Sequence, residues 1–436
     1  MVADDNNHRE KPEVRVLSIS VVFLLSLSLS AQPYNRERTR SVYCQYDFEA
    51  ERLDAPAPKG YKPFYISHYG RHGARYIYND SEYELLYDVF SRADSAGVLS
   101  PLGEELYRRF MSLWPHFHGR AGELTQYGQM QHRKLAARYL KDYPQIFRRG
   151  AGVNAVTSTY SRCIMSMNAF CDVLRIQGVD VYEVVDGRNM AYLAPYTKHN
   201  PKFNGEDQSW RSEFTSYFDS RFDRNAFYGR IFTDVSFASS IKNDMNFIMT
   251  LYYMDGHMAG TEFPETGFGE VFTDAEYALC NEMDNIKFYM RKGWGEGMQG
   301  EVNVALGEAL MQDILDKAEI AVKKGESVAD LRFGHDGAVM TLLAFLRAEG
   351  WEKKASGMAD IKKVWRSCNV PMASNIRFIF CRRGADVIVK AQHDESDILL
   401  PLKSFSGPYY RWEDFRIFYR KLIDDANVIL NHDYKL

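Results

Sequence analysis

Segments with strand character lead directly into segments with helix character at both ends of this 436-residue chain. In the N-terminal half, apolar runs at 62–68, 153–158 and 179–185 alternate with amphipathic segments of helical period. The C-terminal half repeats the pattern with a strand at 330–334 and a helix at 337–349. Because such alternation packs helices against the faces of a sheet, the sequence predicts an α/β fold with helices on both faces.

The middle of the chain has a different character. Residues 187–300 are rich in Tyr, Phe, Asn, Gly and Met and lack regular strand signals. The apolar spacing predicts helices there at 209–220, 239–254 and 274–292. We therefore expect a mainly helical insert that caps the substrate and divides the α/β core into a first half, 32–186, and a second half, 301–436.

The first 31 residues have the pattern of a secretory signal peptide. A polar start is followed by an apolar, Ser-rich run at 16–29 and by small residues at 28–31. The run is shorter than the roughly 20 residues that a transmembrane helix needs. The sequence predicts cleavage before Gln32 or one residue earlier, a periplasmic or extracellular location, and no stable membrane insertion after cleavage.

Charge and cysteine content exclude some classes of protein. The formal net charge is only −4, which argues against a nucleic-acid partner. The six cysteines include no CxxC pair, so the sequence offers no zinc or redox motif. An exported chain could form disulfides, but their pairing cannot be deduced from the sequence.

A compact basic motif, Arg71-His72-Gly73-Ala74-Arg75, directly follows the first predicted strand. The carboxyl end of a strand is where α/β sheets bind ligands. Arginine forks match phosphate oxygens in a bidentate manner. A neutral imidazole placed between them could attack phosphorus while the guanidinium groups neutralise the phosphoryl oxygens.

Two further strand-to-helix junctions carry related groups. Arg162 lies at a helix start, where the helix dipole helps to hold an anion. His335 and Asp336 follow the strand at 330–334 and could bind a phosphoryl group and protonate a leaving alkoxide. Each feature alone is typical of a surface turn, but three strand ends that deliver such groups together favour an active site.

In this order the motifs resemble the histidine phosphatase superfamily, in its histidine acid phosphatase branch. The RHGxR pattern falls on 71–75, the downstream Arg on Arg162, and the His-Asp pair on 335–336. Residues 122–128 match a GxLTxxG signature, which marks a turn and helix start rather than a catalytic element. The resemblance covers roughly 60–180 and 300–430.

Two positions depart from the family pattern. Ile77 stands where RHGxRxP has a proline, which we expect to change only loop rigidity. Inositol polyphosphate phosphatases of the animal type usually carry His-Ala-Glu, whereas this chain has His335-Asp336-Gly337. The second departure leaves the subgroup open between acid phosphatases, bacterial phytases and bacterial inositol polyphosphate phosphatases.

The resemblance implies a phosphoglycerate-mutase-like sheet, no cofactor and no metal. It implies that His72 becomes a phosphohistidine, that Asp336 protonates the leaving oxygen, and that water then hydrolyses the intermediate. The phosphate-binding residues that it implies are Arg71, Arg75, Arg162 and His335. We therefore expect a phosphomonoester hydrolase with a small-molecule substrate.

The sequence favours inositol polyphosphates such as phytate, because a polyphosphorylated substrate needs cations beyond the catalytic arginines. The candidates outside the motifs are Tyr76, Lys198, Lys202 and Arg211.

A general or sugar-phosphate acid phosphatase is the first alternative. A non-catalytic phosphate receptor is more distant, since both His72 and Asp336 are present. A phosphoglycerate-mutase-like enzyme would usually have its acid, a Glu, well before the second His. A metallohydrolase would need a cluster of metal ligands, which the sequence does not offer. The sequence does not indicate the oligomeric state.

Overall fold

The computed structural model describes residues 39–295, 297–324 and 328–431. The predicted signal peptide, 1–31, lies outside the described residues. The described residues belong to one compact unit. Among them, no helix is both long enough and apolar enough to cross a membrane.

The described strands form one mixed, eight-stranded sheet. Their bounds are β1 Lys62–Arg71, β2 Gly152–Thr157, β3 Asp180–Val185, β4 Ala329–Gly334, β5 Asn375–Arg383, β6 Asp386–His393, β7 Ser396–Ile398 and β8 Tyr410–Arg411. The order is β3-β2-β4-β1-β5-β6-β7, with β8 beside β6. The first four strands in that order are parallel, and β5, β6 and β7 add to them in antiparallel fashion. The parallel part contains the predicted strand–helix alternation.

The helices of the described residues surround this sheet. They are α1 Asp80–Ser95, α2 Pro101–Phe117, α3 Gln126–Asp142, α4 Ser161–Ile176, α5 Met190–Leu193, α6 Arg211–Asp219, α7 Arg224–Ile231, α8 Asp244–Met258, α9 Asp274–Lys292, α10 Gly297–Ala305, α11 Glu308–Lys324, α12 Asp336–Phe345, α13 Ile361–Val364 and α14 Trp412–Asn431. Helices α6, α8 and α9 correspond to the three predicted for the middle segment.

Helices cover both faces of the sheet, as predicted, and the alternation of side chains in β1 shows why. Tyr65 and Tyr69 point to one face and pack in a core shared with α11, α12 and α14. Ile66 belongs to the second core, which includes residues of α3 and α4. On the same face, the His68 ring nitrogen Nδ1 lies 2.8 Å from the hydroxyl of Tyr139 in α3. A strand with both faces buried is what a central position in an α/β sheet requires.

Strand β1 continues to Arg71, three residues beyond the predicted end at 68. The extra residues remain paired because Arg71 is in register with Gly334 of β4. The first residue of the basic motif is therefore the last residue of the strand, and His72 is the first residue beyond it.

Candidate active site

The carboxyl ends of three adjacent parallel strands meet at one edge of the sheet. The backbone N–H of His72, after β1, donates to the carbonyl of Gly334 at the end of β4 (2.9 Å). The N–H of Ser158, after β2, donates to the carbonyl of Phe333 in β4 (3.1 Å). These bonds fix the three predicted junctions beside one another, which is where ligands bind in such sheets.

The turn after β1 packs directly against the start of α3. A side chain on Gly73 would place its Cβ 2.4 Å from the Gly128 carbonyl oxygen, and one on Gly128 would lie 2.3 Å from that of Ala74. Thr125 caps α3 by accepting a hydrogen bond from the Gly128 N–H (3.1 Å). The 122–128 stretch therefore positions the turn without lining the cavity described below.

His72 is held in one tautomer. Its Nδ1 lies 2.9 Å from the Gly73 carbonyl oxygen, which can only accept a hydrogen bond. Nδ1 therefore carries the hydrogen, and Nε2 keeps its lone pair. Burial and the charges of Arg162 and Arg71 lower the pKa of His72 well below its ordinary value. The imidazole is thus neutral and has the form of a nucleophile.

Two buried arginines offer donors next to His72. The Nε groups of Arg75 and Arg162 are both buried and have no hydrogen-bond partner within the described part of the chain. Arg75 is flanked by the rings of Tyr43 and Tyr78, each 5.3 Å from its guanidinium carbon. Burial lowers the pKa of Arg162, yet a guanidinium stays charged at any physiological pH. Both side chains line the cavity described below, where their guanidinium groups could bind an anionic oxygen.

Arg71 does not line the cavity but lies behind it, fully buried. Its Nη1 donates to the carbonyls of Val42 and Val370, each at 2.7 Å. Its Nη2 lies 3.0 Å from Oδ2 of Asp336. Burial lowers the pKa of Arg71 to about 10, and the Asp336 carboxylate opposes that shift. In this structure Arg71 therefore orients Asp336.

Asp336 is the first residue of α12, and its Oδ1 accepts a hydrogen bond from the Gly337 N–H (2.7 Å). Burial raises the pKa of Asp336, but the charges of Arg71 and Arg75 outweigh that effect and hold it below its usual value. In this structure the carboxyl group is therefore ionised at neutral pH.

His335 precedes Asp336 and faces His72, with 5.8 Å between the ring centroids. Its Nε2 lies 3.1 Å from the Ser158 hydroxyl oxygen. Burial and the charge of Arg162 lower the pKa of His335 to about 3, so the ring is neutral in this structure. A neutral imidazole can still donate one hydrogen bond to a bound anion.

These strand-end groups line a cavity of about 460 Å³, a volume within the usual range for small-molecule sites. The cavity is lined by His72, Arg75, Arg162, His335 and Asp336 from the strand ends. The structure thus brings together five of the six residues that the motifs predict, with Arg71 immediately behind them.

Part of the cavity lining comes from helix α9, which sequence reasoning missed as part of the site. Lys287, Arg291 and Lys292 line the cavity there. Arg291 donates to both oxygens of Glu206 (2.7 and 2.6 Å), and the Lys287 ammonium lies 2.8 Å from Asp284. Burial lowers the pKa of Lys292 to about 8. The sequence signal for this wall is the spacing of 287 and 291, which puts both residues on one face of a helix.

The insert residues chosen from the sequence do not line the cavity. The Lys202 ammonium is bound to the Glu308 carboxylate and to the Asn427 side chain, each at 2.6 Å. Lys198 and Arg211 are exposed. Charge density in the first part of the insert thus indicated cations that do not line the cavity, whereas those that do lie on α9.

The aromatic residue that reaches the cavity from the loop after Arg75 is Tyr78, not Tyr76. The Tyr76 ring is buried, and its hydroxyl donates to Glu262 (2.7 Å).

Residues 70–397 match the family profile described as the histidine phosphatase superfamily (branch 2). The chain belongs to this superfamily, in branch 2. It is therefore a histidine-type phosphomonoesterase whose substrate is a small-molecule phosphate ester. The resemblance seen in the sequence motifs is confirmed, and so is the predicted fold class.

Solved structures share the fold of this branch-2 histidine phosphatase. A Bifidobacterium longum multiple inositol polyphosphate phosphatase in complex with inositol hexasulfate has a TM-score of 0.71 at 18% identity, covering 86% of this chain and 96% of that one. A phytase from D. castellii has a TM-score of 0.65 at 13% identity, covering 89% and 86%. The Hafnia alvei phytase without ligand has a TM-score of 0.54 at 12% identity, covering 85% and 99%. No curated protein sequence matches the chain.

Proposed function

We propose that this phosphatase hydrolyses inositol polyphosphates such as phytate through a phosphohistidine formed on His72. The lone pair of Nε2 attacks phosphorus, and the bond from phosphorus to the ester oxygen breaks. The proton on Nδ1 stays in its hydrogen bond with the Gly73 carbonyl, which keeps the ring oriented. Arg75, Arg162 and His335 bind the phosphoryl oxygens and stabilise the charge that they carry in the transition state.

Asp336 then acts as the general acid. It is ionised in the structure because Arg71 and Arg75 stabilise the carboxylate. A phosphate group bound by Arg75 and Arg162 would bring negative charge close to Asp336, offset that stabilisation and raise the pKa of Asp336. The carboxyl group would thus take up a proton as substrate binds and give it to the leaving alkoxide, after which the carboxylate activates the water that cleaves the phosphohistidine.

The observation that carries the choice of substrate is the second group of cations, on α9. Lys287, Arg291 and Lys292 line the same cavity as the catalytic arginines. A substrate with one phosphate has no charged group to place against this wall, whereas an inositol ring with several phosphates has. A structural neighbour that is an inositol polyphosphate phosphatase bound to inositol hexasulfate supports the choice at the level of fold.

A general or sugar-phosphate acid phosphatase remains the alternative, and a specific observation favours it. Glu206 already forms a bidentate pair with Arg291, and Asp284 pairs with Lys287. A wall whose cations are neutralised internally could bind an uncharged sugar through hydrogen bonds. Binding of an inositol polyphosphate should therefore depend on the positive charge of α9 more strongly than binding of a sugar monophosphate.

Steady-state kinetics on phytate, a hexose monophosphate and p-nitrophenyl phosphate would test the proposal. We expect the double variant Lys287→Gln/Arg291→Gln to raise KM for phytate about 10-fold or more, since each lost charge-assisted hydrogen bond contributes roughly 1.5–3 kcal/mol. KM for p-nitrophenyl phosphate should hardly change. The matched control is Lys198→Gln/Arg211→Gln, which removes the same two charges from exposed insert positions.

Absence of phytate turnover by the unmodified enzyme would overturn the substrate assignment while leaving it a phosphatase. Equal KM increases for phytate and p-nitrophenyl phosphate in the α9 variant would have the same consequence. A KM increase for phytate in the control variant would show that general surface charge, not the α9 wall, attracts the substrate.

We also propose that the enzyme acts outside the cytoplasm. The support is the composition of residues 1–31, a polar start followed by an apolar run and small residues. N-terminal sequencing of the protein recovered from a periplasmic or culture fraction should give Gln32 or Ala31 as the first residue. A cytoplasmic protein that retains Met1 would contradict export.

A further inference from the structure

Two short 3₁₀ helices that are distant in sequence lie against each other beside the active-site cavity. One is Ser41–Tyr43, and the other is Ser367–Asn369. The hydroxyl oxygens of Ser41 and Ser367 are 2.9 Å apart. A few residues further on, the N–H of Met372 donates to the carbonyl of Cys44 (2.8 Å). The two segments are therefore fixed in register on both sides of Cys44 and Cys368.

Within this register the side chains of Cys44 and Cys368 are neighbours, close enough for a hydrogen bond. A hydrogen bond between the two side chains, together with burial, raises the pKa of Cys44. Cys44 is buried, whereas Cys368 is half-buried and open to solvent on one side. The pair thus combines a protected thiol with a neighbouring thiol that a reagent in solution can reach.

We propose that Cys44 and Cys368 form a disulfide bond when the folded protein meets a disulfide oxidant. The Cys368 thiolate attacks one sulfur of the oxidant, whose S–S bond breaks and releases one thiol. The Cys44 thiol then loses its proton and attacks the sulfur of Cys368 in the mixed disulfide, which releases the second thiol. In total, two electrons and two protons pass from the cysteines to the oxidant, and one S–S bond forms. The compartments to which exported proteins are sent supply such oxidants.

The position of the pair gives the bond a consequence for the active site. Val42 stands two residues before Cys44, and Val370 stands two residues after Cys368. The carbonyls of these two valines accept both hydrogen bonds from Nη1 of Arg71. The disulfide therefore connects the two segments that hold Arg71, the residue that in turn contacts Asp336. It also closes most of the chain into one loop, which is the case in which a cross-link restricts the unfolded state most.

The test is to treat the native full-length protein with excess oxidised glutathione, block remaining thiols, and map its peptides by mass spectrometry without reduction. We expect a peptide pair joined through Cys44 and Cys368, and an intact mass lower by two hydrogen atoms. Oxidation should raise Tm by roughly 5 °C, and dithiothreitol should reverse the rise. Both Cys44→Ser and Cys368→Ser should abolish the joined peptide and the Tm increase.

The matched control is Cys381→Ser, which removes a buried thiol in β5 and should leave the joined peptide and the Tm increase unchanged. Absence of the joined peptide, or pairing of either cysteine with another, would overturn the proposed bond. A Tm increase that persists in Cys368→Ser would show that oxidation elsewhere causes it. A joined peptide with no Tm increase would overturn the stabilising role.

Discussion

A single hydrogen bond decides which nitrogen of His72 can react. The Gly73 carbonyl occupies Nδ1, so Nε2 is the nitrogen with a lone pair. Burial, together with the charges of Arg162 and Arg71, disfavours protonation of that ring and lowers its pKa. The same charges that would bind a phosphate thus also keep the nucleophile unprotonated at acid pH.

Replacement of His72 by Ala should reduce kcat by at least about 10³-fold, because it removes the side chain on which the proposed phosphohistidine forms. The measurement is p-nitrophenyl phosphate hydrolysis, with circular dichroism and Tm to confirm folding. His199→Ala, which removes an exposed histidine of the insert, is the control and should keep full activity. Substantial turnover by a folded His72→Ala protein would contradict the phosphohistidine pathway.

The role of Asp336 predicts an effect that depends on the leaving group. Asp336→Asn should lower kcat about 10²- to 10⁴-fold on alkyl phosphates, whose alkoxide needs a proton. The loss should be far smaller on p-nitrophenyl phosphate, whose phenolate is stable without one. A comparison of kcat on both substrates checks this. Equal losses would mean that Asp336 does not act as a general acid and serves only phosphate binding or the contact with Arg71.

The residues of the active site differ in how far the sequence could predict them. His72, Arg75, Arg162, His335 and Asp336 each lie within a few residues of a strand end, and the sheet alone brings those ends together. The spacing of Lys287 and Arg291 indicates one shared face of α9, but only the packing of the insert turns that face towards the cavity. Charge density instead indicated Lys198, Lys202 and Arg211 as substrate-binding cations. In the folded protein these three residues do not line the cavity.

At the scale of elements, the contact between the turn after β1 and helix α3 positions the nucleophile. Neither Gly73 nor Gly128 has room for a Cβ, because each faces the backbone of the other segment. The GxLTxxG stretch could be identified from the sequence as structural, but the segment against which it packs could not. The predicted end of β1 at 68 was three residues too early. Pairing with β4 extends the strand to Arg71, the first residue of the basic motif.

Gly128→Ala should therefore impair an active site that it does not touch. Its Cβ would lie 2.3 Å from the Ala74 carbonyl, which must shift and displace the turn that carries His72. We expect a loss of roughly 1–3 kcal/mol in the free energy of unfolding and a lower kcat. Urea unfolding and p-nitrophenyl phosphate kinetics measure both quantities.

The control is Gly187→Ala, because a Cβ at Gly187 would meet no atom within 4 Å. Gly187→Ala should leave both stability and kcat nearly unchanged. Wild-type kcat in Gly128→Ala would mean that the turn does not depend on α3 for its position.

Across the whole molecule, buried histidines make the free energy of unfolding depend on pH in the acid range. Burial lowers the pKa of His132 to about 3 and that of His257 to about 4. In the unfolded chain a histidine has a pKa near 6.5. The unfolded state therefore binds more protons below pH 6.5, and the free energy of unfolding falls as the pH decreases from that value towards the folded pKa.

His132→Leu should reduce this pH dependence. A histidine with a folded pKa near 3 costs about 2 kcal/mol of stability at pH 5 relative to neutral pH. The difference between the unfolding free energies at pH 7 and pH 5, measured with urea, should shrink by about that amount in the variant. The exposed His116→Leu is the control and should keep the wild-type difference. An unchanged difference in His132→Leu would contradict a neutral buried imidazole.

The sheet topology also has a consequence for biosynthesis. Strand β1 is flanked by β4 and β5, and its Tyr65 binds Asp330, which is 265 residues later in the chain. A ribosome must therefore release most of the polypeptide before the central strand finds either neighbour. His72 emerges early but has neither His335 nor Asp336 beside it until translation is nearly complete. On the proposed mechanism, a nascent chain therefore lacks its general acid until the residues up to Asp336 have been synthesised.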